Sequence, residues 1–147
     1  MNVQVADDSP YAITAADFVR DRDAVVDVWR ASLHDGQART LKLDWFYRSA
    51  PHAALLQVLV HRPSDAIVGT AGVGWRRMRL DGNALRGGLL ADMAVMAGHR
   101  MLGPALLLQR TACETALREG DLVYGFPNPN AVPVVKRLGY VHVGDMT

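Results

Sequence analysis

Ala91-Asp92-Met93-Ala94-Val95-Met96-Ala97-Gly98-His99-Arg100-Met101-Leu102-Gly103-Pro104-Ala105 decides how this chain folds. Residues 85–96 read as a strand ending in the apolar stretch 89–95. It runs into a loop, residues 97–103, that carries Gly98 and Gly103. A helix opens at Pro104, since the first helical turn has no internal use for the amide proton that proline lacks. Along it Ala105, Leu108, Ala112 and Ala116 form an apolar stripe. Arg110, Glu114 and Arg118 stand four apart outside, spaced to pair along a solvated face. Gly120 sits where a C-terminal cap belongs. A strand, a glycine-bearing loop and a helix in that order form an anion cradle. The first helical amides lack internal partners, and the helix dipole makes that end partly positive. Arg100 adds a full charge, and Gly103 lets the backbone approach an anion with no Cβ between them.

Upstream of this stretch the period is that of β-structure. Residues 55–61 form a β-rich run, Arg62-Pro63-Ser64-Asp65 a turn, and residues 67–80 a long strand interrupted by Gly69, Gly72 and Gly74. Asp81-Gly82-Asn83 is a hairpin turn, with Gly82 supplying a positive φ. The middle of the chain is therefore three antiparallel strands in sequence. Before them come an extended piece at 11–15 and an amphipathic helix at 21–33, with Val25, Val28, Trp29 and Leu33 on one face. A second helical region at 41–49 carries Trp45, Phe46 and Tyr47. Downstream, residues 122–126 read as a fifth strand, 131–138 as a short helix capped by Gly139, and 140–143 as a sixth strand.

Composition narrows the classes further. The chain has 147 residues, room for one compact domain, and no internal repeat or linker divides it. Lys plus Arg is 16 against 15 for Asp plus Glu, so the basic excess of a non-specific nucleic-acid or membrane-surface binder is missing. No apolar run approaches the roughly 20 residues of a membrane span, and residues 1–10 lack the pattern of a secretory signal. A lone cysteine, Cys113, excludes an internal disulfide and is compatible with the cytoplasm. His34, His52, His61, His99 and His142 show no metal-ligand spacing, so no metal site is expected.

The cradle has neither the Gly-Lys-Ser/Thr of a P-loop nor Gly-x-Gly-x-x-Gly. Three antiparallel strands before it are also wrong for a dinucleotide fold, which opens on a parallel βαβ unit. Arg100-Met101-Leu102-Gly103-Pro104-Ala105 instead resembles the pyrophosphate-binding motif of the GNAT acyltransferase superfamily. Asn128-Pro129-Asn130-Ala131, followed by Lys136-Arg137-Leu138-Gly139-Tyr140, resembles that superfamily's second motif. The two motifs stand in family order and spacing.

The resemblance implies a single α/β (α+β) domain over residues 1–147, a mixed, mainly antiparallel sheet of about six strands flanked by four helices. It implies acetyl-CoA as donor substrate and direct transfer of the acetyl group to a primary amine: a small amine, an amino sugar or a protein amine. The strand backbone at Met93, Ala94 and Val95 would pair with the pantetheine arm and supply the oxyanion's hydrogen bond. Arg100, Met101, Leu102, Gly103, Pro104 and Ala105 would wrap the pyrophosphate. Asn128 would touch the pantetheine or a water near the thioester. Asp92, the one carboxylate in the apolar strand, is the candidate general base.

Three departures from the family pattern bear on function. Val135 stands where many members carry a tyrosine that protonates the departing thiolate, though a thiol of pKa near 8.5 leaves tolerably without that help. Pro104 removes one amide from the cradle. Members usually continue with a seventh strand, whereas this sequence ends at Thr147. That points to a fragment of a longer acyltransferase, or to a homodimer that pairs through an open sheet edge. The rival function is a catalytically silent acyl-CoA-binding regulatory domain. Trp45, Phe46 and Tyr47 read as a helix–sheet contact, with an acceptor-pocket lining as the alternative. Arg76, Arg77, Arg79 and Arg86 read as a solvated hairpin, with recognition of an acidic acceptor as theirs.

Overall fold

The structure, a computed structural model, describes residues 8–33, 40–49 and 54–146. His34 and His52 lie outside the described residues. Chain order is β1 (Tyr11–Ala15), α1 (Arg22–Ser32), a π-helical turn (Leu43–Arg48), β2 (Leu55–His61), β3 (Ala66–Leu80) and β4 (Asn83–Val95). A 3-10 turn (Ala97–His99), α2 (Leu102–Leu117), β5 (Leu122–Tyr124) and α3 (Val132–Arg137) follow. The strands form one sheet in the order β1-β2-β3-β4-β5, antiparallel except for the parallel pair β4–β5. The expected mixed, mainly antiparallel sheet with flanking helices is therefore present.

Two-residue alternation gives this sheet two apolar faces. Leu56 and Val58 pack under α1 and the π-helical turn, against Val25, Val28, Trp29, Leu43, Phe46 and Tyr47. Leu59, Val73, Trp75 and Val95 pack on the other face against Leu108, Ala112 and Ala116 of α2. Gly72 and Gly74 are sockets in the first face. A Cβ at Gly72 would overlap the Tyr47 hydroxyl, and one at Gly74 would overlap the Phe46 ring. The glycines that interrupt β3 thus seat the two aromatic rings, which are buried, while Trp45 stays 60% exposed. The helix–sheet reading holds for Phe46 and Tyr47.

Asp81 and Gly82 both have positive φ, 49° and 79°, and Leu80 pairs with Asn83, so a two-residue turn with the strand's own twist joins β3 to β4. Arg86 of β4 lies over the Trp75 ring of β3 at 4.1 Å, and Arg76 lies over the Phe46 ring of the π-helical turn at 5.8 Å.

Four expectations need correction. Among the described residues the sheet has five strands: residues 140–143 form none, and Val141 and Val143 are 80% and 96% exposed. The Tyr140 amide turns back to the Val135 carbonyl and closes the end of α3, and the residues after it pair with no strand. Helix α2 opens at Leu102, with Met101 as its extended N-cap, so Pro104 is its third residue. All three opening positions tolerate the missing amide equally. Gly120 is needed for close approach: a Cβ there would strike the Trp75 ring, and its φ is not positive. Gly139, at φ 84°, does take the left-handed cap conformation. Finally, β5 stops at Tyr124, two residues short of the expected Phe126, and this ending creates the site.

Candidate functional site

Strands β4 and β5 run side by side only where Gly87, Gly88 and Leu89 face Leu122, Val123 and Tyr124. Beyond Tyr124 they part. The fork opens into a cleft of about 200 Å³ with Leu90 to Met93 on one wall and Gly125 to Asn128 on the other. Gln109 of α2, Ala131 and Val135 near α3, and Tyr140 close it.

The β4 wall is shaped by a bulge. Gly72 pairs with Ala91 and Thr70 with Ala94, so Asp92 and Met93 together oppose the single residue Ala71. Asp92 takes φ 52°, a conformation that costs a non-glycine residue about 1–3 kcal/mol and needs surrounding structure to impose it. A buried relay does so: the Trp29 indole donates to Thr70 Oγ1 at 2.9 Å, and Thr70 Oγ1 donates to the Asp92 carbonyl at 2.7 Å. The Asp92 carboxylate accepts from Lys42 Nζ at 2.7 Å and from the Tyr47 hydroxyl at 2.6 Å. Its side chain is only 2% exposed.

The residues of the expected cradle lie at the end of β4 and the start of α2. The 3-10 turn is tied to β1 by a hydrogen bond of 2.9 Å between the Tyr11 hydroxyl and His99 Nδ1, and His99 also packs on His61. Arg100 folds back, its Nε donating to the Val95 carbonyl at 2.8 Å. The amides of Arg100, Met101 and Ala105 bond to Ala97, His99 and Met101 carbonyls. Those of Leu102 and Gly103 have no backbone acceptor among the described residues, and space around Gly103 is open.

No family model matches the sequence, and no curated protein matches it. Solved structures do. Glucosamine-6-phosphate N-acetyltransferase from Arabidopsis thaliana superposes with a TM-score of 0.77 at 14% identity, over 95% of this chain and 97% of that one. A Trypanosoma brucei acetyltransferase does so at 0.70 and 20% identity, over 93% and 97%. A predicted acetyltransferase with acetyl-CoA from Clostridium acetobutylicum gives 0.72 and 16%, over 93% and 94%. The chain has the GNAT acetyltransferase fold.

On this GNAT fold the residues singled out from sequence fall into two groups, with Ala94 and Val95 buried in β4 and lining neither the cleft nor the helix opening. Asp92, Met93 and Asn128 meet around the cleft. Arg100, Met101, Leu102, Gly103, Pro104 and Ala105 lie together at the opening turn of α2 and its approach. Two residues arrive with partners. The Val95 carbonyl already accepts from Arg100 and, at 3.3 Å, from Ser32 Oγ. Asn128 caps the turn into α3, its Oδ1 accepting the Ala131 amide at 2.9 Å.

The sequence singles out neither Lys42 nor Gln109, presents Tyr47 only as a helix–sheet contact or an acceptor-pocket lining, and shows Tyr140 only as part of the second motif. Lys42 lies 50 residues from the carboxylate it binds, and no local pattern joins them. Tyr140 left a signal: it follows Gly139 in the second motif and faces the cleft beside Val135. Burial and its 3.2 Å hydrogen bond with Cys113 Sγ push the Tyr140 phenol well above the ordinary tyrosine range, so it keeps its proton. Cys113 itself is half-buried in α2, in keeping with a packing role. Among the described residues no helix is long and apolar enough to cross a membrane, and no group of three His, Cys, Asp or Glu is placed to hold a metal ion.

Proposed function

We propose that this protein is an acetyl-CoA-dependent N-acetyltransferase that acetylates a primary amine by direct attack within a ternary complex. The parting of β4 and β5 beyond Leu89 and Tyr124 carries the reading. It leaves backbone of both strands facing a cleft that α2 borders at Gln109, about 10 Å along the helix axis from an opening turn with uncommitted amides.

The residues present suit the donor. Leu102 and Gly103 turn their amides to a pyrophosphate, Gly103 admits it closely, and Arg100 adds charge from the end of β4. Pro104 contributes no amide, so the cradle rests on fewer donors than the helix could offer. The β4 backbone at Met93, Ala94 and Val95 borders the arm, and an amide there takes the charge that develops on the thioester oxygen. Asn128 lines the cleft with its Oδ1 held by the Ala131 amide, which leaves its side-chain NH2 for the ligand. Acetyl-CoA itself supplies the activated acetyl thioester.

An amine is protonated near neutral pH and must lose a proton before it attacks. Asp92 is the carboxylate we assign to take it. The bulge sets it on the cleft wall, and Lys42 and Tyr47 hold its oxygens in place. Val135 cannot return a proton to the thiolate that leaves.

Isothermal titration with acetyl-CoA and free CoA, followed by a screen of amine acceptors, tests this. Saturable binding that Arg100→Ala with Gly103→Asp abolishes is expected. Asp92→Asn should keep that binding and lose about 10²–10⁴ in acetylation rate. If parent and Asp92→Asn both bind and neither consumes acetyl-CoA with any amine, the chain is a silent acyl-CoA-binding domain instead. No binding at high micromolar acetyl-CoA refutes both readings.

A further inference from the structure

Gln109 is the polar residue in the cleft that folding alone does not explain. It is 2% exposed and sits beside Leu108 in a helix whose other buried residues are Pro104, Ala112 and Ala116. Its Oε1 is buried with no hydrogen-bond partner among the described residues. A buried acceptor left unpaired is a standing cost to the fold, and an apolar residue of similar shape would remove it. Gln109 nevertheless lines the cleft, together with Met93 and Asn128.

Its position along the helix says what it would meet. Gln109 is seven residues beyond Leu102, about 10 Å along the axis from the opening turn. A ligand whose phosphate rests on that turn, and whose reacting end reaches the bulge at Asp92, passes Gln109 on the way. A carboxamide both donates and accepts, and a half-turn about its last bond exchanges the two ends. Its natural complement is another amide.

We infer that Gln109 is a ligand-binding residue that pairs with a secondary amide in the arm of the acyl carrier, selecting an amide-bearing arm over a bare nucleotide. This rests on the acyl-CoA reading above and adds to it a side chain from α2.

The test compares CoA with adenosine 3′,5′-bisphosphate, its nucleotide without the arm. Titration of the parent, Gln109→Leu and Gln109→Met should show CoA affinity falling about 5- to 20-fold in both variants while bisphosphate affinity stays unchanged. The ligand-free variants should melt at higher temperature than the parent, because the unpaired amide is gone. In the parent, the side-chain NH2 resonances of Gln109 should shift with CoA and stay put with the bisphosphate, a readout that needs no variant. An unchanged ratio of CoA to bisphosphate affinity, or unshifted Gln109 resonances with CoA bound, overturns the inference and leaves the acyl-CoA reading standing. A parent that binds neither compound overturns both.

Discussion

Replacing Thr70 with valine should unfasten the β4 bulge. Thr70 and Trp29 are fully buried, and the Thr70 hydroxyl both accepts from the indole and donates to the Asp92 carbonyl. Valine keeps the shape and deletes both bonds, stranding one buried donor and one buried acceptor. At about 1–3 kcal/mol for each stranded group, the loss should be about 2–6 kcal/mol. Relaxation of Asp92 from its positive φ returns part of this, so about 3 kcal/mol is expected. For a domain of this size that lowers Tm by roughly 6–12 °C. Urea unfolding followed by tryptophan fluorescence measures it directly. Trp29→Phe alone should also destabilise, and the double variant should lose clearly less than the two single losses summed, because the groups form one relay. A Thr70→Val loss below about 0.5 kcal/mol, or strict additivity, would refute the view that the relay imposes the bulge.

Three further outcomes are expected. Gly103→Ala meets open space in a helical first turn, so it should stabilise the fold by up to about 1 kcal/mol while weakening CoA in titration, since a Cβ now intrudes where the phosphates approach. The Arg20 and Val19 amides hold the Asp17 carboxyl below its usual range, the Arg20 guanidinium does the same for Asp21, and Arg22 for Asp44. The folded state therefore binds fewer protons than the unfolded chain below about pH 4: the stabilisation is complete above that pH and lost as pH falls through the lowered values, and Asp21→Asn should flatten the fall in urea midpoint. For Tyr140 the sign reverses: its raised pKa favours the folded state below about pH 10, and that contribution is lost as pH rises further, so Tyr140→Phe should remove part of the alkaline destabilisation seen in melts.

What could be read in advance was whatever a short window encodes. The Asp81-Gly82 turn, the run of antiparallel strands and the strand–loop–helix cradle each depend on neighbours in sequence. Pairings between distant segments were out of reach. Lys42 with Asp92, and Tyr47 over Gly72, each join a helical turn to a strand through the packed sheet, and no periodicity announces them. Residues 140–143 misled for a related reason: alternation reports that a strand could form, while pairing with a distant segment decides whether one does. Gln109 gave no warning because a glutamine in a helix is unremarkable until its burial is known.

The shortness of the β4–β5 seam bears on how the molecule breathes. Three paired residues join β5 to the sheet, and Val134 is the buried residue of α3 beyond it. The β4–β5 pairing is the shortest in the sheet, so the amides of this piece should exchange with solvent through local opening, well ahead of β2 and β3. The cleft lies between that loosely attached piece and the firm remainder. A ligand gripping both walls would act as a clasp across the seam, and slower exchange in β5 and α3 would register its arrival even where the backbone does not move.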